Sequence, residues 1–496
     1  MNLLFFEMAS VILIYPIGGS MLDVISRRIP LGLLAVAAFL DKDGYDIKII
    51  DQRVDKDWKK TLLNELKLNP ICVGLSCSTG KQLIYAVETC QFIKENSTVP
   101  IVWGGVHPST LPLETLENKY IDILVNGEGD ITSYELVKAL EKNKKLDSVK
   151  GIYYKQDNKL KKTVDRELIE DLDTLPDLPF HLVNVYDYSS VDYTGGPSID
   201  LITSKSCPVR CGFCYNLYFN NGRWRAFSVE RTIKMIKFVV EKYKIKDIHF
   251  VDDNLGGSQK HFMDFVRAII DNKLNIAWGT NGLRVNNVTS MSDEDLKLLE
   301  KSGCKELGIG IEPENQDFLN LTNKVITLEQ IMKQNKRLAN YAINIKYTFI
   351  IGMPTETKKD IDTTVKLALD LAKENPNAWT RISPYMPFPG TEMYDFAIQH
   401  GFRPPKNLEG WAKFNSLDSW HNYFGSWMSK DMIEYMDSIA FLSSLYNKNI
   451  RYKITSKTMR LLFDCYRPFA QFRLEKSFHK FPLELQVNKF IEKAGF

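Results

Sequence analysis

Two long stretches of this chain alternate short apolar runs with helical patterns, and that alternation leaves few folds open to it. In the first, runs at 11–15, 47–51, 71–76, 101–103 and 121–125 are separated by helix-length segments, one opening at Pro30 and the last covering 134–141. Apolar strands linked by helices indicate a parallel sheet covered on both faces, a doubly wound α/β domain. The alternation resumes at 199–203 and continues through 247–251, 277–280, 306–311, 345–351 and 380–384. In both α/β domains ligands are expected beyond the carboxyl ends of the strands. At 496 residues the chain is too long for one core, and four segments are expected. They are a first α/β domain over 1–148, a linker over 149–192, a second α/β domain over 193–400 and a mostly helical region over 401–496. The linker carries a hairpin around Asp157 and Asn158 and then the extended, proline-rich Leu175-Pro176-Asp177-Leu178-Pro179-Phe180.

The second α/β block opens on Ser204-Lys205-Ser206-Cys207-Pro208-Val209-Arg210-Cys211-Gly212-Phe213-Cys214-Tyr215. Cys207, Cys211 and Cys214 stand in CxxxCxxC spacing, after the strand at 199–203 and before a helical pattern starting near Ser228. That places a thiolate loop at the carboxyl end of a strand. Thiolates are the usual protein ligands of iron–sulfur clusters, and three of them leave one iron of a four-iron cubane open to another ligand. A zinc knuckle would bring a fourth Cys or His at close spacing, and the nearest histidines, His181 and His249, are far off in sequence. Buried structural cysteines are the plain alternative, which the spacing disfavours.

CxxxCxxC with the aromatic Phe213 before its last cysteine resembles the signature of the radical S-adenosylmethionine (SAM) enzymes. The resemblance implies a [4Fe–4S] cluster on Cys207, Cys211 and Cys214, SAM bound through its amino and carboxylate groups to the open iron, and reductive cleavage of SAM to methionine and a 5′-deoxyadenosyl radical. It implies a partial (β/α)6 TIM-like barrel for the six strands. It also assigns SAM contacts in turn to Phe213, to Asp252 and Asp253, through their carboxylates or neighbouring carbonyls, where relatives carry a GGE-type motif that holds the SAM amino group, to Asn281 and Arg284, to Glu312 as a ribose-hydroxyl acceptor, to Gly352 on the adenine side and to Pro384. For each of these, the structural alternative is a turn or a helix cap.

In the first domain Asp51 at the end of the second strand suggests a nicotinamide site, but Pro16-Ile17-Gly18-Gly19-Ser20 lacks GxGxxG and gives a pyrophosphate no close backbone approach. The region instead resembles the Rossmann-like cobalamin-binding domain found in front of many radical SAM enzymes. The contacts this implies are Pro16, the helix start Pro30, Leu31 and Gly32, the strand ends Ser76, Cys77 and Ser78, then Gly104, Gly105 and His107, and Gly127 and Glu128. The DxHxxG pattern of the mutase-type domains is absent, so no imidazole ligand to cobalt is expected from the first loop. His107 is either a solvated loop histidine or a cobalamin contact.

Together, over residues 10–400, the resemblance is to the cobalamin-dependent radical SAM enzymes. It implies methylation of an unactivated carbon, with cyclisation or ring rearrangement as alternatives. A methylthiotransferase would need a second cluster on Cys72, Cys77 and Cys90, and a non-catalytic metal protein would need the missing fourth ligand. No catalytic side chain beyond these is singled out. A small-molecule or peptide substrate and an electron donor such as flavodoxin or ferredoxin are the expected partners. Net charge of +3 gives no reason to expect nucleic acid. Eight cysteines without pairing-like spacing, and no signal peptide, indicate a reducing cytoplasm. The apolar run at 3–15 is interrupted by Glu7 and too short to span a bilayer. A monomer is expected.

After residue 401 an aromatic group, Trp411, Trp420, Tyr423, Phe424 and Trp427, precedes helical patterns at 431–446 and 456–463. From residue 448 onward eleven Lys and Arg stand against four Asp and Glu. This basic tail either covers the barrel mouth or touches an anionic membrane surface or substrate.

Overall fold

Val11, Ile12, Leu13 and Ile14 are all buried, because the strand that carries them lies inside a sheet with helices on both faces. The computed structural model describes residues 10–18, 27–157, 159–189, 193–312, 318, 326–414, 427–446 and 457–478. They divide into two compact units, one of residues 1–188 with 404–419 and one of residues 189–403 with 420–496.

In the first unit β1 (Ser10–Tyr15), β2 (Asp46–Asp51), β3 (Cys72–Ser76), β4 (Ile101–Gly104) and β5 (Ile123–Val125) run parallel in the order β2-β1-β3-β4-β5. The order reverses between β1 and β3, the switch point at which doubly wound sheets bind ligands. Helices Leu31–Lys42 and Gly129–Glu141 cover one face, through Leu33, Ala37, Leu40, Leu136 and Val137. On the helix Gln82–Asn96, Cys90 accepts a hydrogen bond from the buried Trp103 of β4 (3.1 Å) and Phe92 packs edge-on against Trp58.

The expected hairpin is present, and the expected linker is corrected in that the strands of this hairpin belong to the first sheet. β6 (Ile152–Gln156) pairs antiparallel with β5, and β7 (Lys159–Lys162) pairs antiparallel with β6. Ile152, Tyr153 and Tyr154 supply the apolar surface that docks β6, while Lys159, Lys161 and Lys162 give the outer strand a charged, self-repelling edge. Short 3-10 turns at Leu172–Thr174, Phe180–Leu182 and Val185–Tyr188 then carry the proline-rich segment within the same unit. The expected C-terminal region is likewise divided, because helix Leu408–Lys413 belongs to this unit.

The second unit holds β8 (Ser198–Leu201), β11 (Asp247–Phe250), β12 (Ala277–Arg284), β13 (Cys304–Gly310), β14 (Asn344–Ile351) and β15 (Ala378–Pro384), all parallel and in sequence order across the sheet. The connecting helices start where the sequence signals it. Ser228, Ser258, Ser292, Thr327 and Thr357 each accept the backbone N–H three residues on, opening helices Val229–Tyr243, Gln259–Asp271, Asp293–Lys301, Leu328–Leu338 and Lys358–Glu374. Outward side chains of the sheet meet these helices, as Trp278 and the neighbouring Phe250 of β11 do against Phe265, with Trp278 also against Phe262. The alternate side chains are polar, with His249 bridging the Tyr193 hydroxyl (3.1 Å) and the Asn281 amide (2.7 Å), and Lys346 reaching Asn281 (3.1 Å).

Helix Lys430–Tyr446 lies along the edge strand β15, where the Ser443 hydroxyl accepts the Ile382 N–H at 3.3 Å. Helix Lys457–Glu475 packs on it, longer than the expected 456–463, and leaves Leu461, Phe469 and Phe472 exposed. Trp420, Tyr423 and Phe424 of the expected aromatic group lie outside the described residues, as do the tail residues after 478.

Candidate functional site

A two-stranded ribbon closes the cysteine loop at its base. β9 (Ser204–Lys205) pairs antiparallel with β10 (Arg225–Ala226), so that residues 206–224 form the loop of a hairpin standing on the end of β8. Ser206 takes a left-handed φ of 77° and turns the chain into Cys207. Cys214 donates its N–H to Cys211 O at 3.0 Å in a tight turn, and the short helix Asn216–Asn220 follows. Gly212 accepts the Met393 N–H at 2.9 Å, and its missing side chain leaves room for the Glu392 carboxylate.

Cys207, Cys211 and Cys214 are half-buried, and none of them is in a disulfide. Burial pushes the Cys214 thiol up to about 12, with the charges of Cys211, Asp253 and Cys207 acting in the same direction. Such a thiolate needs a cation beside it, which iron provides. Among the described residues no three His, Cys, Asp or Glu side chains converge on a single metal ion. A cubane does not ask for that, since each of its irons is held by its own thiolate. The donor set therefore fits an iron–sulfur cluster with one open iron. Of the other cysteines in this unit, Cys304 is buried at the amino end of β13, the end opposite the loop, and Cys465 is exposed on helix Lys457–Glu475.

The residues that end β11 meet this loop. Asp252 Oδ1 accepts from the Thr203 N–H (2.9 Å), the Thr203 hydroxyl (2.9 Å) and the Ser204 hydroxyl (2.6 Å), and Asp253 Oδ2 accepts from the Ser206 N–H at 3.2 Å. Burial outweighs these bonds and raises the Asp252 carboxyl to about 6, and it raises Asp253 as well. Both stand in the stretch expected at the SAM amino group, and one carboxylate oxygen of each is engaged by the residues leading into the cysteine loop. Asn254, which no sequence signal singles out, donates its amide to Cys207 Sγ at 3.4 Å.

The other expected SAM contacts lie at the ends of successive strands. Phe213 is half-buried in the cysteine loop. Asn281 is exposed on β12, and Gly308 of the neighbouring strand lies so close to its backbone that a side chain there would stand 2.6 Å from its Cα. Arg284 closes β12, is buried, and has its Nε and Nη1 enclosed without a partner. Glu312 is buried with φ of 69°, its backbone N–H bonded to Thr348 O at 3.1 Å. Pro384 pairs with Ile351 at the end of β15 and precedes the buried Tyr385.

Gly352 does not offer the open space expected of an adenine-side residue. With φ of +87°, it is covered by Met436, whose Sδ would lie 2.4 Å from an added Cβ, and by Met428. Glu356 closes this turn by accepting the N–H groups of Gly352 and Met353, and its other oxygen is buried without a partner. Burial pushes its carboxyl to about 7.

At the β1/β3 switch point of the first unit, Gln82 binds Pro16 O (3.1 Å) and the Ser78 N–H (2.7 Å) with the two ends of its amide. Gly105 has φ of +102°, and an added Cβ would stand 2.8 Å from Cys77 O, so only glycine lets these two strand-end loops approach. Gly104, by contrast, would bring a Cβ to ordinary contact with Val125 at 3.7 Å. Ser76 ends β3, and Ser109 links the next two loops by donating to Gly105 O (2.8 Å) and accepting the Gly127 N–H (3.0 Å). Pro30 is buried ahead of the first helix, Leu31 is half-buried, and the space over Gly32 is open. Glu128 spends one carboxylate oxygen on the Ile169 N–H (3.0 Å), beyond the expected domain limit.

His107 is not a solvated loop residue. It is fully buried, its Nδ1 pairs with the Thr79 hydroxyl at 3.0 Å, its ring lies edge-on to Trp411, and its Nε2 has no partner. Burial lowers its pKa to about 4, so the ring is neutral near pH 7. Asp51, the residue that suggested a nucleotide, is held by the Arg53 guanidinium (2.6 Å) and the Tyr188 hydroxyl (3.0 Å). Cys72, Cys77 and Cys90 are buried, and burial raises all three thiols, Cys72 and Cys90 to about 12. That burial suits packing, not the second cluster of a methylthiotransferase.

Comparison with known proteins agrees with both halves of this geometry. Residues 201–368 match the Radical SAM superfamily, and residues 24–137 match the B12 binding domain. The chain is 30% identical to an uncharacterized methyltransferase of Pyrococcus horikoshii, over 78% of this chain and 82% of that protein. The chain belongs to the cobalamin-dependent radical SAM enzymes. Its cofactors are accordingly a [4Fe–4S] cluster, SAM and cobalamin. Among other relatives, the anaerobic magnesium-protoporphyrin IX monomethyl ester cyclase of Rubrivivax gelatinosus is 27% identical over 85% of this chain and 77% of its own. The radical SAM methyltransferase TsrM of Kitasatospora setae, solved with cobalamin and a [4Fe–4S] cluster, shares the fold with a TM-score of 0.64, 19% identity, and coverage of 79% of this chain and 75% of that one. As a cobalamin-dependent radical SAM enzyme, the protein joins its two α/β units in one chain, and among the described residues no helix is long and apolar enough to cross a membrane.

Proposed function

We propose that this enzyme is a C-methyltransferase that places a methyl group on an unactivated carbon of a small-molecule or peptide substrate. The observation that carries the reading is the union, in one chain, of a B12 binding domain and a radical SAM domain that opens on a loop of three cysteines. The name of the Pyrococcus horikoshii relative supports it. When bound, the cluster and SAM supply a carbon-centred radical, and cobalamin supplies the methyl group.

On this reading Cys207, Cys211 and Cys214 hold the cluster, and the buried Arg284 guanidinium takes the SAM carboxylate through the nitrogens it leaves unpaired. The Glu312 carboxylate accepts from the ribose hydroxyls. In the first unit, Gly105 keeps the ends of β3 and β4 low enough for cobalamin to lie against them, and the open face over Gly32 receives its periphery. An external one-electron donor such as flavodoxin or ferredoxin serves the cluster, and the enzyme works as a cytoplasmic monomer. A ring-forming reaction is the second reading, supported by the named cyclase of Rubrivivax gelatinosus.

The test is anaerobic incubation of the reconstituted enzyme with SAM, hydroxocobalamin, a reductant and candidate substrates, read by mass spectrometry. Methyl transfer predicts a product heavier by one methyl group, together with both S-adenosylhomocysteine and 5′-deoxyadenosine. A product formed at the normal rate without cobalamin would overturn the reading, and a product that has lost hydrogen without gaining a methyl group would favour ring formation.

A further inference from the structure

We propose that Asn254 is a positioning residue for the iron–sulfur cluster, its side-chain amide donating a hydrogen bond to the Cys207 thiolate and thereby setting the cluster's reduction potential. The inference rests on the assignment of Cys207 as a cluster ligand.

Three consecutive residues at the end of β11 engage successive residues of the loop that leads to the first ligand. Asp252 takes Thr203 and Ser204, Asp253 takes the Ser206 N–H, and Asn254 Nδ2 reaches Cys207 Sγ at 3.4 Å. The two backbones therefore run in step, and the last step ends on a sulfur. Asn254 is 2% exposed, so its amide does not share its hydrogens with bulk water. Its backbone carbonyl accepts from Trp224 Nε1 (2.8 Å) and from the Gly257 N–H (3.1 Å). Gly257 lies flat against the Trp224 ring, where an added Cβ would come within 2.3 Å, so the indole and the turn after β11 are locked together. A side chain fixed in this way holds its donor on the sulfur without further loss of freedom.

The chemical consequence follows from charge. A ligating thiolate has no proton to give and acts only as an acceptor, so the NH2 end of the amide is the end that faces it. Reduction of the cluster adds an electron, and a donor on a ligating sulfur stabilises the more negative state. Removing the donor lowers the potential while leaving all three ligands in place.

The test uses the full chain, reconstituted anaerobically with iron and sulfide, in the variants Asn254→Leu and Asn254→Asp, with Cys207→Ala as the control on the ligand. Iron and sulfide content, the midpoint potential by redox titration and the EPR signal of the reduced cluster are measured. Asn254→Leu and Asn254→Asp are expected to keep full iron and to lower the ratio of reduced to oxidised cluster at a fixed poise by about tenfold, a shift of about 59 mV for a one-electron couple. The Asp variant preserves the shape of the side chain, so it carries the test if the Leu variant does not fold. Loss of the cluster in Cys207→Ala with an unchanged potential and EPR signal in both Asn254 variants overturns the role of Asn254. Full cluster retention in Cys207→Ala overturns the ligand assignment itself, and the inference with it.

Discussion

Thr203 and Asp252 are joined twice, the backbone N–H and the hydroxyl of Thr203 both donating to the same carboxylate oxygen of Asp252 at 2.9 Å. The pair ties the end of β8 to the end of β11, so the cysteine loop leaves the sheet from a fixed point. Asp252→Ala removes the shared acceptor and leaves a buried N–H and two hydroxyls unpaired. It is expected to destabilise the second unit by about 2–4 kcal/mol and to cut iron uptake on reconstitution. Asp252→Asn keeps an acceptor oxygen and should retain most of both. Urea unfolding and iron analysis of the two variants check this, and equal loss in both would contradict it.

Glu356 makes the second unit sensitive to alkali. Burial raises its carboxyl from 4.5 to about 7, so the folded chain keeps a proton there that the unfolded chain has lost. The stability this group contributes is full below pH 4.5 and is lost as pH rises through about 7, a change on the order of 3 kcal/mol. Glu356→Gln should remove this part of the pH dependence, visible as a urea midpoint that no longer falls between pH 5 and pH 8.

His107 acts in the opposite direction in the first unit. Burial lowers its pKa from 6.5 to about 4, so the unfolded chain takes up a proton that the folded chain refuses. Its contribution is full above pH 6.5 and is lost as pH falls through about 4. Hydrogen exchange of β4 amides at pH 5 and pH 7.5 should show the difference, and His107→Gln should shrink it.

Gly104 and Gly105 are neighbours with different duties. Gly105→Ala places a Cβ against Cys77 O on a backbone at φ +102°, and is expected to cost about 2 kcal/mol or more and to weaken cobalamin retention. Gly104→Ala meets ordinary contact and should change unfolding by less than about 1 kcal/mol. Gel filtration with hydroxocobalamin and urea titration of both variants give the comparison.

Arg284→Met separates binding from folding. Removing a buried guanidinium whose Nε and Nη1 have no partner should leave the SAM-free protein as stable as before or more so. SAM affinity should fall about tenfold or further, because a carboxylate loses a charged partner. Equilibrium dialysis of SAM against the cluster-loaded variant reads the second effect, and unchanged affinity would exclude Arg284 as a SAM contact.

Much of this protein is determined by sequence alone, where the signal is local. Apolar runs and capping residues such as Ser228 and Thr357 set where strands and helices begin, because burial period and orphan N–H groups are properties of neighbouring residues. The spacing of Cys207, Cys211 and Cys214 is local too, so the cluster is legible in the chain itself. Tertiary structure alone decided what depends on distant partners. The antiparallel β6 and β7 extend the first sheet because β5 left an open edge beside them, and helix Leu408–Lys413 returns to that unit after all six strands of the second sheet. Gly352 read as space for a ligand, and Met436 fills it from a helix that begins at Lys430. Asp252 and Asp253 read as a ligand-binding turn, and their side chains, with that of Asn254, meet the cysteine loop. Periodicity and propensity report which face of a segment is apolar, whereas the partner of a buried polar group is chosen by the packing of segments far apart in the chain.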